Sequence, residues 1–437
     1  MTDLDPDAAE ENRPSPAGAL RLPNFRRLWL NNIGYFMAFN ALRFVFSWYV
    51  LDGLELGERE QGYVVFALGI PSVFLILQAG VWADRLDRRL MLIATQAAST
   101  VVLIGTAVLI ASGRATLALL LVAATLAGIT TSVGQPLRAA LVPALVHKEQ
   151  LFGAIALNAL AMTTSMILGP VIARGVGEAF GFAGAFWLMV LLLAAGLAVI
   201  WRIEVPPLEN ERSDETAEGP TTAEAPPATD SKPARRSITA ETIDAVRHVL
   251  NDRALRSLFL LLSVAGVTVN PAVMVTLQAF VKEELGRDSG DAAIPFMFMG
   301  LGLAISSVFV MRRGDMANKG AAFQRAMMVG GAVTTAMGFT TQFWQLIPLS
   351  FIMGLAGGFY INMNQGLIQT NTPQELMGRV MGLFTLVQAG FMPIGGLALG
   401  LLATVIGTGT TISLAAATAL VVVVFTYVTS PHLRSLS

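Results

Sequence analysis

Apolar residues in this chain come in long unbroken runs, such as TLALLLVAATLAGITTSVG (116–134) and FWLMVLLLAAGLAVIW (186–201). A soluble core helix would show a polar stripe every third or fourth position, and these runs do not. About 20 apolar residues in helical form match the ~30 Å hydrocarbon core of a bilayer. Twelve such runs are predicted, at 28–51, 62–83, 90–112, 115–136, 151–174, 182–201, 257–281, 293–311, 324–340, 344–366, 378–403 and 408–428. Each is expected to be a helix, because a helix satisfies its own backbone hydrogen bonds in lipid. The fold class expected is all-α integral membrane.

Polar stretches divide the runs into two sets of six. The expected units are a tail (1–27), a six-helix bundle (28–201), a linker (202–253), a second six-helix bundle (254–429) and a short tail (430–437). Within the linker, EVPPLENERSDETAEGPTTAEAPPATDSKPARR is too polar to bury a core and is expected to be disordered. After it, ITAETIDAVRHVL places Ile243, Val246, Val249 and Leu250 on one helical face, which suits a helix lying on the membrane surface. A helical extension of the seventh span is the alternative.

Basic residues set the expected orientation. With both termini in the cytoplasm, the inner segments hold 23 of the 29 Lys and Arg, including Arg85, Arg88, Arg89, Arg312, Arg313 and Lys319. The outer loops hold Arg59, Arg114, Lys282 and Arg287, while Arg43 and Arg174 fall inside spans. A multi-pass protein of the plasma (inner) membrane follows. The net charge of −1 gives no reason to expect nucleic acid. With no cysteine, disulfides, Cys-ligated zinc and iron–sulfur clusters are excluded. No metal site, no cofactor and no catalytic group is expected, and no Walker sequence points to direct ATP use.

Charge is concentrated in GVWADRLDRRLM (80–91), between the second and third runs. Asp84 and Arg88 recur as Asp315 and Lys319 at an offset of 231, and Glu149–Gly153 recurs as Gln374–Gly378 at an offset of 225. Two six-helix pseudo-repeats of the same polarity would give such offsets.

On these residues the chain resembles the major facilitator superfamily. Gly80, Asp84, Arg85, Arg88 and Arg89 match that superfamily's loop signature, with Asp87 where the general pattern has Gly. The Asp-Arg-x-Asp-Arg-Arg form is similar to the enterobactin exporter and macrolide efflux branch, as are FRRLWL (25–30), QPLRAALVPALV (135–146), LGP (168–170) and GRVMG (378–382). The resemblance implies the twelve-helix major facilitator fold and a secondary transporter. It also places the eleventh span beside Asp84, where its N-terminus near Gly378 and Arg379 would favour a carboxylate. The charged knot would then latch the two halves; the plainer alternative is that the charges only set topology. Gly169 and Pro170 match part of the span-five motif of drug–proton antiporters, while Arg174 stands near its glycine end.

No Asp, Glu or His falls inside the predicted span interiors. Proton relays in membranes use those residues. Coupling to protons, which the resemblance implies, would need a rim acid such as Asp52, Asp84 or Glu178, or protons carried by the substrate. Arg43 is the clearest intramembrane charge, either a functional group or one that snorkels or pairs with Asp52 or Glu55. The family places spans one, four, seven and ten around the cavity. Its candidate wall residues here are Phe36, Asn40, Arg43, Gln135, Asn270, Gln278, Asn362 and Gln365. Amides among aromatics suit an amphipathic molecule. The function expected is export of amphipathic small molecules (a drug, secondary metabolite or siderophore) by alternating access. Import or facilitated movement of anionic organic solutes is the alternative, and a membrane receptor or enzyme the remote one. Partners expected are the small-molecule substrate, membrane lipids and, as a candidate coupling ion, protons; a monomer is expected.

Overall fold

A computed structural model describes residues 16–85, 87–147, 150–203, 238–313 and 318–436. The polar part of the linker, most of the N-terminal tail, Glu149 and Asp315 lie outside the described residues, as do the side chains at Gly80, Asp84, Arg85 and Arg313.

Every apolar run forms a helix. These are α1 (Pro23–Trp48), α2 (Glu58–Arg85), α3 (Arg88–Ala111) and α4 (Leu117–Ala144). A helical stretch, Leu151–Ile200, breaks at Gly181 into α5 (151–180) and α6 (182–200). The second set is α7 (Arg253–Glu283), α8 (Ala293–Arg313), α9 (Lys319–Met337), α10 (Phe343–Thr370), α11 (Met377–Ile406) and α12 (Thr408–Thr429). Eight described stretches are long and apolar enough to cross a membrane by length and composition, one of them holding both α5 and α6. The shortest helix, 19 residues, spans about 28 Å at 1.5 Å per residue.

With twelve crossings the two termini share one end of the bundle, here the termini end. At the opposite end, called the far end, lie the turns after α1, α3, α5, α7, α9 and α11. Gly181 makes its turn at φ 72° and ψ 175°, a conformation closed to residues with a Cβ.

Packing repeats between the halves. α2 lies on α4 as α8 lies on α10. Across the halves α2 lies on α11 as α8 lies on α5, so α2 corresponds to α8, α4 to α10 and α5 to α11. Small residues let the seams close: Gly62 faces Gly396 and Gly400, Gly69 faces Pro393, and Gly300 faces Ile167. The repeat extends to a defect. α1 ends in a π-helical turn, Tyr49–Gly53, and α7 contains one, Ala272–Thr276, just after Pro271 removes a backbone donor.

Two local differences from the sequence reading have physical causes. The fourth helix runs to Ala144, eight residues beyond its predicted end at 136, so Arg138 lies inside it. Asp87 acts on the backbone: its carboxylate accepts from the amides of Arg89 (2.8 Å) and Leu90 (3.0 Å), capping α3. The linker helix, Ile238–Asn251, packs against α11 and α7. It buries Ala245 and Val249 while Ile243, Val246 and Leu250 stay exposed.

Candidate functional site

The predicted wall residues divide into three groups. On α1, Phe36 is buried and Asn40 turns back to donate to the Phe36 carbonyl (2.9 Å). One turn on, Arg43 reaches across the halves and donates to the Met392 thioether at the middle of α11 (2.7 Å). Its guanidinium carbon stands 5.9 Å from the Phe39 ring centroid. Among the described residues no carboxylate meets it.

On α10, Asn362, Gln365 and Gln369 are exposed, although they sit in a helix that crosses the membrane. Asn362 donates to Ser307 of α8 (3.0 Å) and to the Gly358 carbonyl (2.7 Å). Amides left in contact with hydrocarbon would be costly. Gln135 and Asn270 are half-buried.

Gln278 belongs to the contact between the halves. It is 1% exposed and donates to the Phe44 carbonyl of α1 (3.2 Å). Beside it Gln61 of α2 donates to the Val275 carbonyl (2.9 Å), which lies in the π turn of α7. Gly169 and Pro170 are buried, and Gly169 lets α5 approach Met37, Asn40 and Ala41 of α1.

Around the charged knot, Arg88 donates to the Ala140 carbonyl of α4 (3.5 Å) and Arg89 to the Trp201 carbonyl after α6 (2.7 Å). Both bonds stay within the first bundle. Carbonyls at helix C-termini are suited to cations. Gly378 is exposed at the start of α11, and Arg379 is half-buried and engaged.

Two assemblies escaped the sequence reading. Arg138, 2% exposed, donates to the side-chain oxygens of Asn31 (2.9 Å), Asn32 (2.9 Å) and Gln96, and stacks 3.6 Å from the Tyr35 ring centroid. Asn32 continues to Asn158 of α5 (2.8 Å) and Gln96 to the Leu193 carbonyl of α6 (2.8 Å). One guanidinium therefore ties α1, α3, α4, α5 and α6 together.

The second assembly joins the halves at the far end. Asp52, in the π turn after α1, accepts from the Ser289 amide (2.9 Å) and hydroxyl and pairs with Lys282 (3.4 Å). Lys282 also donates to the Leu51 carbonyl. Asp291, before α8, is held by Arg174 of α5 and by Arg287, and Arg174 also pairs with Glu178 (2.6 Å). Asp288 accepts from the Gly290 amide (2.8 Å). Burial, and then the negative charge of Asp52, push its carboxyl above the usual carboxylate range, against the pull of Gly290, Trp48 and Arg174. Phe44 of α1 meets Phe296 of α8 edge-on (6.2 Å) beneath these charges. Among the described residues no group of three acids or histidines could hold a metal.

The family model described as Major Facilitator Superfamily matches residues 28–396 and 272–436. Among solved structures, a mutant peptide transporter POT in complex with alafosfalin is 13% identical, with TM-score 0.73 over 99% of each chain. A mutant of the nucleoside transporter NupG is 12% identical, with TM-score 0.72 over 93% of this chain and 100% of that one. A POT family transporter in complex with 5-aminolevulinic acid is 13% identical, with TM-score 0.72 over 94% and 96%. At these identities the likeness is one of fold. No curated protein sequence matches the chain.

Proposed function

The chain belongs to the major facilitator superfamily, and from that membership we propose that this membrane transporter exports amphipathic small molecules by alternating access. Drugs, secondary metabolites and siderophores are the substrate classes that fit its amide-and-aromatic interior. Closure at the far end supports this most directly. The Asp52–Lys282 and Arg174–Asp291 pairs bridge the bundles there, while the polar face of α10 stays exposed toward the termini end. A carrier caught with one mouth shut and its interior reachable from the other side would have this arrangement.

The distribution of basic residues supports a cytoplasmic termini end and an external far end. Loading would then occur from the cytoplasm. To release its cargo the carrier must part the far-end clasp and close the opposite mouth. That second closure is the role we assign to the knot of Gly80, Asp84, Arg85, Arg88 and Arg89 with Gly378 and Arg379. If protons drive the cycle, the acids available to them stand at the rims, in the clasp and at Asp84, since the span interiors have none.

A second reading, uptake or facilitated movement of anionic organic solutes, draws support from Arg43, whose guanidinium faces the interior without a carboxylate. Differential accumulation of small molecules in cells with and without the protein identifies the cargo. Uptake of that cargo by inverted, but not right-side-out, vesicles is the outcome expected for export. Accumulation in right-side-out vesicles would overturn export and favour the second reading.

A further inference from the structure

Cations inside the bundle differ in what they meet. Arg174 and Lys282 have carboxylates, and Arg138 has three amide oxygens and a ring face. Arg43 has, among the described residues, one hydrogen bond, and its acceptor is the sulfur of Met392. A guanidinium offers five N–H donors and a thioether is a weak acceptor. Arg43 is half-buried, so the remaining donors are reachable, and no Asp, Glu or His occurs in the span interiors to balance its charge. Phe39 and Met392, both half-buried, supply apolar surface beside it.

We infer that Arg43 is an anion-binding site, and that it takes the carboxylate or sulfonate of an amphipathic organic anion by displacing Met392. A carboxylate or sulfonate oxygen forms a charge-assisted hydrogen bond that the thioether cannot match. The apolar body of the same molecule rests against Phe39. Because Arg43 belongs to α1 and Met392 to α11, the exchange also undoes a tie between the bundles. Binding thus loosens the closed state in the step that loads the site. This names the cargo class for the transport reading and rests on that reading only for its consequence in the cycle.

A matched pair of fluorescent probes tests it: 8-anilinonaphthalene-1-sulfonate, and N-phenyl-1-naphthylamine, which has the same skeleton without the sulfonate. Saturable binding is measured on the purified full chain in zwitterionic nanodiscs, with empty nanodiscs subtracted. Arg43→Gln is expected to weaken the sulfonate by about tenfold and leave the neutral probe unchanged. Met392→Leu, a volume-conserving change, removes the competing acceptor. It is expected to tighten the sulfonate by about threefold with no change for the neutral probe.

Equal losses for both probes in Arg43→Gln would overturn the site, as would a Met392→Leu variant that binds the sulfonate no better than the parent. The Met392→Leu arm stands even if Arg43→Gln does not fold. Counterflow of the sulfonate in proteoliposomes separates the two ideas. Binding that depends on Arg43 without counterflow would remove the transport reading and keep the site. Counterflow indifferent to Arg43 would do the opposite.

Discussion

Two arginines inside the first bundle show how environment sets a residue's role. Arg138 spreads its charge over three amide oxygens and an aromatic face and is shut away from water. Arg43 keeps its donors open. Removing Arg138 should therefore cost stability more than selectivity. Arg138→Leu leaves the oxygens of Asn31, Asn32 and Gln96 seeking partners, and the amides can only partly satisfy one another, so a loss of about 2 kcal/mol is expected. Arg138→Lys should recover little of it, since a point charge cannot span three acceptors held by a planar fork. Thermal unfolding followed by tryptophan fluorescence reads both, and a lysine variant as stable as the parent would refute the fork geometry. Nothing in the sequence announces this role. A charge near the end of an apolar run reads as a membrane rim, and its partners lie on α1 and α3, far away along the chain. Arg43 is legible because apolar residues continue on both sides of it. Gln278, by contrast, reads as a wall amide; a buried carbonyl of α1 is its partner, which spacing cannot reveal.

Elements are legible because span length is dictated by bilayer thickness, so twelve runs give twelve helices with ends displaced by a few residues. The exception is α4, which runs on past its expected end through Arg138, a charge solvated by amide oxygens and a ring. The two π turns are not legible, since they depend on how α1 and α7 meet other helices. The knot between α2 and α3 carries two acids of different kinds. Asp87 caps α3, so Asp87→Ala is expected to cost about 1 kcal/mol of stability and Asp87→Ser little. Asp84→Asn, at the position proposed for the latch, is expected to lower transport while membrane insertion and unfolding temperature stay near the parent's. Full transport by Asp84→Asn would leave the knot with topology as its sole role. Measuring both variants in one preparation separates a cap from a latch.

For the whole molecule, closure at the far-end clasp is expected to depend on pH. Asp288 is held above the usual carboxylate range in the closed arrangement, by burial first and by Asp52 second. Lys282, Arg174 and Arg287, with Asp291 and Glu178, are the other charges of the clasp, while Glu55, Glu58, Arg59, Glu60, Arg114, Glu283 and Glu284 lie elsewhere at that end. Parting the halves separates Asp52 from Asp288 and readmits water, which returns the carboxyl toward its ordinary value. Protonation therefore favours the closed arrangement. That stabilisation is gained as the pH at the far end falls through the raised value and is lost above it. With no native cysteine, spin labels at Ser112→Cys and Thr341→Cys would report the distance across the far end alone. The short-distance population should grow as the pH at the far end is lowered and lose that dependence in Asp288→Asn. A pH response unchanged by Asp288→Asn would place the sensitive group elsewhere. Arg174→Gln should shift the same population toward long distances at every pH.

The Arg174–Asp291 and Lys282–Asp52 pairs have one more consequence. If the bundles part there on each cycle, as proposed, these bonds act as a brake, and the tempo of the carrier is written in them, separately from its affinity for cargo. Ions in the surrounding medium weaken such pairs where water can reach them. Brine at the far end would then quicken the machine, chiefly through the more exposed Lys282–Asp52 pair, and dilute water would slow it, without altering a single contact to what it carries.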